Sequence, residues 1–224
     1  MLYLVPTPIG NLSDVTFRAI EILGTVDLVA CEDTRRSSIL LTHYGIDTPM
    51  ISYHDHNERK RAPQLIERME TGQQIALISD AGSPGLSDPG FYLVRLCWEK
   101  NIPVQALPGP TALIPALTTS GLPSERFVFE GFLPHKKGRN QRLEAIRAET
   151  RTIVLYESPH RLVRTLTDLV NSLGPERTGA VARELTKKFE EVHRTNLQKL
   201  LEYFRDKNTI KGEFVIIIAP PTFT

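Results

Sequence analysis

The chain is built on one repeated pattern: a short apolar run, an abrupt cluster of glycine, proline and acidic residues, then an amphipathic stretch. In the first half the runs are Leu2–Val5, Leu28–Cys31, Pro49–Tyr53, Ile75–Ile78 and Val104–Leu107, and each reads as a strand. Helices are predicted between them. The first is capped by Asp14 or Ser13 and runs to about Leu23, with Phe17, Ile20 and Leu23 on one face. Others cover Thr34–His43 and Asn57–Glu70, the latter with Leu65, Ile66 and Met69 inward. A fourth carries Pro89 in its first turn, where a missing N–H costs nothing, and a fifth runs from Thr111 to about Ser120. Strands apolar on both faces and joined through helices require a parallel sheet covered on both sides. The fold class is therefore α/β.

The segment "SGLPSERF", Ser120 to Phe127, breaks the rhythm and is the expected boundary between domains 1–120 and 121–224. Beyond it, strands are predicted at Phe127–Glu130, Thr152–Tyr156, Gly179–Arg183 and Phe214–Ala219, with helices near 139–149, 160–172 and 196–206. At 224 residues the chain has ample core for either one or two domains. Charge divides between the halves. Residues 1–120 carry 9 basic and 13 acidic side chains, whereas residues 121–224 carry 18 and 13. A basic second half points to an anionic partner for that domain.

Cys31 and Cys97 are too few for a disulfide framework and read as reduced thiols. "MLYLVPTPIGN" has no basic leader and reads as a first strand rather than a signal peptide. No apolar run approaches the roughly 20 residues of a membrane span. The expectation is a soluble, cytoplasmic protein.

The polar clusters "PTPIGN", "EDTRR", "YHDHN", "SDAGSPG" and "LPGPTA" all follow strands, as do "YESPHR" and "ARELTKK" in the second half. They collect at the carboxyl edges, where open parallel sheets bind ligands, and two such edges in tandem suggest a site in an interdomain cleft. No G-x-G-x-x-G follows the first strand and no phosphate-binding G-x-x-x-x-G-K-[ST] is present. Gly82, Gly85 and Gly109 still allow close backbone approach, and Asp80 can accept from an amine or a ribose. This suits an adenosine or amino-acid moiety without a pyrophosphate. Asp80 is equally suited to bracing its own turn, and Asp88-Pro89-Gly90 reads as a helix cap. Glu32 and Asp33 are adjacent, so only one can look into a cleft. "HDH" at His54–His56 reads as a solvated loop, since no Cys or His cluster completes a metal site.

"VPTPIGNLSDVTFRAIEIL", "CEDTRRSSILL", "SDAGSPGLSDPG", "LPGPTALIPALTTSGL", "FEGFLP", "LYESPHRL" and "ARELTKKFEE" together resemble the ribosomal RNA small-subunit methyltransferase I family of the tetrapyrrole methylase superfamily. The resemblance spans residues 2 to about 218. It implies two α/β/α domains with a mainly parallel first sheet and S-adenosylmethionine in the interdomain cleft, commonly in a homodimer. The implied reaction methylates the ribose 2′-hydroxyl of a cytidine in the decoding region of 16S ribosomal RNA, within the small ribosomal subunit. Matched to the superfamily's loops, the cofactor-binding residues would be Pro8, Asp80, Ser83, Thr111 and Ala112, with Tyr156, Ala182 and Gly212 from the second domain. Family members usually continue past the last strand into a small C-terminal region, whereas this sequence stops after "APPTFT", as either a truncated chain or a short member would.

A sulfonium is already activated, so the protein's task is alignment, helped by a base or a cation near the developing alkoxide. Glu157 and Glu184 are candidate bases and Arg183 and Lys187 candidate cations, with Glu184 and Lys187 preferred as the catalytic pair. The same four suit a structural ion network. "PHKKGRNQRLEAIRAETR" is basic, and Arg139, Arg142 and Arg147 fall near one helix face. Lys136, Lys137, Arg139 and Arg142 are therefore the expected RNA-binding residues, neutralising phosphates without reading sequence. The alternatives are a tetrapyrrole methyltransferase and a non-catalytic module that binds S-adenosylmethionine or RNA.

Overall fold

A computed structural model describes residues 1–223. The chain divides into two compact units, Met1–Thr111 and a second that starts at Ala112. The division falls ahead of Ser120–Phe127 because the helix at Leu113–Thr119 packs against the last strand of the second unit.

The first unit has strands β1 (Leu2–Leu4), β2 (Leu28–Cys31), β3 (Met50–Ser52), β4 (Ile75–Ile78) and β5 (Val104–Ala106). They lie in the order β3-β2-β4-β1-β5, all parallel. Helices α1 (Phe17–Thr25), α2 (Thr34–His43), α3 (Glu58–Glu70) and α4 (Phe91–Glu99) join them. Side chains alternate along each central strand. Leu2, Leu28, Ala30, Ile75 and Leu77 pack with Leu65, Met69, Leu93 and Cys97 of α3 and α4. Their neighbours Tyr3, Val29, Cys31, Ala76 and Ile78 pack with Ala19, Leu23, Leu40 and Leu41 of α1 and α2. Three layers follow directly from that period of two. Each fully buried Leu or Ile contributes about 1.5–3 kcal/mol. Cys31 and Cys97 are free and buried.

Two local expectations fail at helix starts. Asn11 caps a 3-10 turn over Leu12–Asp14 that contains Ser13 and Asp14, and the cap of α1 is Thr16, whose hydroxyl accepts from the Ala19 amide at 3.1 Å. Phe17, expected on one face with Ile20 and Leu23, is the first residue of α1 and is 93% exposed. Pro89 precedes α4 rather than entering it. The N-cap is Gly90 at φ +150°, where a Cβ would meet the Leu77 side chain at 3.1 Å.

The second unit has strands β6 (Phe127–Phe132), β7 (Thr152–Glu157), β8 (Thr178–Arg183), β9 (Glu191–Asn196) and β10 (Phe214–Ile218) in the order β6-β7-β10-β8-β9. Only β6 and β7 are parallel. Its helices are α5 (Leu113–Thr119), α6 (Arg139–Ala148), α7 (Leu162–Leu173) and α8 (Leu197–Arg205). One face of this sheet, with Ile153, Leu155, Val181, Phe214, Ile216 and Ile218, is covered by Ile146, Leu166, Leu169, Leu200 and Phe204 of α6, α7 and α8. β9 carries no apolar run. It is a half-buried edge strand of sequence EVHRTN, and periodicity alone gives no sign of it.

Candidate functional site

The connections leaving β1 and β4, which are neighbours, run in opposite directions, α1 over one face and α4 over the other. That reversal opens a crevice at the carboxyl ends of the strands. Two backbone bonds stitch the β1 and β4 loops there: Thr7 N–H donates to the Gly82 carbonyl at 2.9 Å and Gly82 N–H to the Thr7 carbonyl at 2.8 Å. The buried Thr7 hydroxyl adds a 3.0 Å bond to the Ser79 carbonyl. Ser83 Oγ donates to the Pro110 carbonyl at 3.2 Å, tying in the loop after β5. Gly109 lies against Pro6, where a Cβ would come within 2.9 Å of the ring.

Asp80 braces the start of α2 rather than its own turn. Oδ1 accepts from the Asp33 amide at 3.1 Å and Oδ2 from Arg36 Nη1 at 3.1 Å. Asp33 in turn caps α2 through the Arg35 amide at 2.9 Å. Asp88 caps nothing, since Gly90 is the N-cap of α4. Its carboxyl is instead pushed up to about 6 by burial and by the charge of Glu32, with Asp80 and Asp55 adding to it and a Ser79 hydrogen bond opposing. Glu32 is raised as well, by burial and then by Asp80. Of the adjacent acids, Glu32 therefore joins this cluster while Asp33 caps a helix. A pocket of about 130 Å³ opens beside Pro8, Arg36, Ser37, Ile39 and Asp80, with the buried Ser37 hydroxyl unpartnered among its lining. It is smaller than the roughly 300 Å³ of a typical ligand site, so it has room for only a fragment of a ligand of that size.

Clustered carboxylates beside glycine-rich backbone repel a phosphate and attract a cation. A ligand carrying an ammonium and a sulfonium fits this donor set, and a dinucleotide does not. His54, the other candidate polar group at this edge, has its Nε2 against Asn57 Nδ2 at 3.1 Å.

In the second unit Tyr156 and Ala182 stand in one cross-strand row, each paired with Val215. Their face of the sheet is the one opposite α6, α7 and α8. Phe129 and Phe132 meet the Tyr156 ring edge-on at 4.9 and 5.8 Å between centroids. Thr111 and Ala112 lie immediately before α5, with Ala112 at its N-cap. Gly212 has φ +104°, and a Cβ there would lie 2.5 Å from Glu184 Cγ, so its bareness seats Glu184.

Glu184 and Lys187 do come together. Glu184 Oε1 accepts from Lys187 Nζ at 2.9 Å and from the Glu213 amide at 3.0 Å, and Lys187 also reaches Glu213 Oε2 at 3.0 Å. Burial opposes charge on both, yet the bonds prevail: Glu184 titrates below and Lys187 above its ordinary value. Arg183 is held elsewhere, by Glu191 at 2.9 Å. Glu157 is fully enclosed, accepting from Arg161 Nε at 2.7 Å, the Ser158 amide at 2.8 Å and Thr165 Oγ1 at 2.6 Å. It is a structural carboxylate.

Arg139 departs from its expected role in the same way. It is 3% exposed, and its guanidinium donates to Asp168 at 2.8 Å, Thr165 at 2.9 Å and the Pro134 carbonyl at 3.1 Å. It cannot meet a phosphate. Lys136 and Lys137 are exposed, and the half-exposed Arg142 pairs with Glu130 at 3.0 Å.

Residues 1–201 match the family model of tetrapyrrole (corrin/porphyrin) methylases. A Synechocystis sp. protein named ribosomal RNA small subunit methyltransferase I is 57% identical across 99% of this chain and 80% of its own length. The protein of that name from Escherichia coli O157:H7 is 52% identical across 97% of this chain and 77% of its own. This chain belongs to the ribosomal RNA small subunit methyltransferase I family. A uroporphyrin-III C-methyltransferase from Thermus thermophilus, solved in complex with S-adenyl homocysteine, superposes with a TM-score of 0.65 at 17% identity, covering 97% of this chain and 96% of that one. At that identity the likeness shows a shared tetrapyrrole-methylase fold. Among the described residues no group of three His, Cys, Asp or Glu side chains could hold a metal, and no helix is long and apolar enough to cross a membrane.

Sequence reasoning about this family member missed the carboxylate cluster, although its members all lie in the quoted loops. The signal was available in the number of acids placed after β2, β3 and β4, where a phosphate site would carry none.

Proposed function

We propose that this chain is an S-adenosylmethionine-dependent methyltransferase acting on the ribose 2′-hydroxyl of a cytidine in the decoding region of 16S ribosomal RNA. In this reading it works in the cytoplasm as a homodimer on the small ribosomal subunit. The observation that carries it is an electronegative, glycine-lined strand edge in a chain more than half identical to proteins named for small-subunit rRNA methylation.

The residues that would hold the cofactor are Pro8, Asp80, Ser83 and Thr111 in the first unit and Ala112, Tyr156 and Ala182 in the second. Gly212 acts through Glu184 rather than by contact. When bound, S-adenosylmethionine supplies a methyl group on an already activated leaving group. The chain's own work is orientation and charge. Asp80 fixes the start of α2 while Glu32 and Asp88 bias the edge toward a cation. Lys187 stays protonated and is suited to stabilising negative charge on the attacking 2′-oxygen. Glu184, held below the ordinary carboxylate range, is a poor proton acceptor at neutral pH and positions Lys187. Lys136, Lys137 and Arg142 supply a phosphate-binding surface.

The test is transfer of label from methyl-labelled S-adenosylmethionine to small subunits lacking the modification, followed by nucleoside analysis. Label on a cytidine ribose is expected. Label on a base, or on a tetrapyrrole in place of RNA, overturns the reading.

A further inference from the structure

Strand β6 contains a β-bulge that decides where one aromatic side chain goes. Phe127, Val128 and Phe129 pair in order with Thr152, Ile153 and Val154, but Gly131 and not Glu130 pairs with Leu155, and Phe132 with Tyr156. Paired residues of a parallel ladder share a face. Ile153 and Leu155 face the core under α6, α7 and α8, so Val154 and Tyr156 face away from it. Without the extra residue Phe132 would stand opposite Glu157, on the same face as Leu155, and would point into that core. The bulge sends it to the Tyr156 face instead, a recognised use of bulges beside functional sites.

The arrangement is held firmly. Gly131 takes φ +59°, which a side chain disfavours, and the bulged Glu130 is anchored to α6 by Arg142 at 3.0 Å. Below Phe132, Arg161 Nη1 donates to the Leu133 carbonyl at 3.0 Å and Arg139 Nη1 to the Pro134 carbonyl at 3.1 Å. The buried Arg139 and the partly buried Arg161 pin the backbone from which exposed His135, Lys136 and Lys137 project. Phe132 itself is 52% exposed, with its ring edge-on to Tyr156. A large apolar ring brought out of a core, braced by an aromatic neighbour and followed at once by exposed cations, has the composition of a base-stacking platform flanked by phosphate contacts.

We propose that Phe132 stacks on an unpaired base of the RNA substrate, next to Tyr156, and that the Glu130 bulge exists to present it. This rests on the proposed action on ribosomal RNA and adds a substrate-positioning residue to it. Duplex pairing would hide a base from such a ring, so the platform selects an unpaired or extruded nucleotide.

The test compares wild type with Phe132→Leu and Phe132→Tyr, measuring methyl transfer to unmodified small subunits, affinity for S-adenosylmethionine, and thermal stability. Leucine keeps an apolar side chain and removes the π-face. Its kcat/KM on subunits is expected to fall on the order of tenfold, as for loss of one base–aromatic stack, while tyrosine retains activity. Cofactor affinity and melting temperature should stay at wild-type values in both. Wild-type kcat/KM in Phe132→Leu overturns the stacking role. So does a parallel loss of cofactor affinity, which would place Phe132 in the cofactor pocket. A wild-type protein inactive on every subunit preparation removes the underlying function reading, and the stacking role with it, and is told apart because no variant is needed to see it.

Discussion

Asp88 gives the sharpest quantitative test of the electronegative strand edge. Its carboxyl titrates at about 6, against an ordinary 3.8, because burial and the charges of Glu32, Asp80 and Asp55 disfavour the anion. A folded value above the unfolded one means the native state holds the proton more tightly. The stabilising contribution is thus fully present below the unfolded pKa and is lost as pH rises through the folded one, between about pH 4 and 6. Roughly two units correspond to about 3 kcal/mol against the anion at neutral pH. Solvent screening at this half-buried position reduces that to about 1–2 kcal/mol. Asp88→Asn keeps the shape and removes the charge. It should match wild type near the lower end of that window and exceed it by about 1–2 kcal/mol at neutral pH, read from urea unfolding across the range. Affinity for cationic S-adenosylmethionine should fall more than affinity for S-adenosylhomocysteine, which lacks the sulfonium. A stability difference that does not grow with pH, or equal losses for both ligands, would refute the electrostatic reasoning.

Arg139→Met leaves Asp168 and Thr165 without their buried donor and should cost about 3 kcal/mol or more in unfolding free energy, with no decrease in the salt dependence of RNA binding. Glu191 titrates at about 2: burial opposes this, but bonds from His193, Arg183 and Lys207 outweigh it. Its contribution is present above the ordinary carboxylate pKa and lost as pH falls through about 2, so Glu191→Gln should flatten the acid limb of the stability profile. Gly212→Ala forces a Cβ against Glu184 at positive φ and should lower methyl transfer together with melting temperature, because the Glu184–Lys187 pair loses its seat.

Much of the fold was legible because its cause is local. β1, β2 and β4 are uniformly apolar, and α3 places Leu65, Ile66 and Met69 on one stripe, so period and burial coincide. β9 was not legible, since an edge strand needs no apolar run, and neither was the exposure of Phe17, since an apolar residue in the first turn of a helix can lie outside the core. In the candidate site, the strand-end loops carrying Pro8, Asp80 and Ser83 could be located from order alone. The roles of Arg139 and Glu157 could not. Charged residues are usually solvated, and only tertiary packing shows that these two face each other through Thr165 inside the second unit. The Glu130 bulge is likewise invisible in sequence, because a register shift is a relation between two strands.

The most direct measurement is a crystal structure of this chain with S-adenosylhomocysteine. Density is expected against the Pro8, Asp80 and Ser83 loops at the carboxyl edge of the first sheet. Ligand bound away from that edge contradicts a methyl donor held by the strand-end loops.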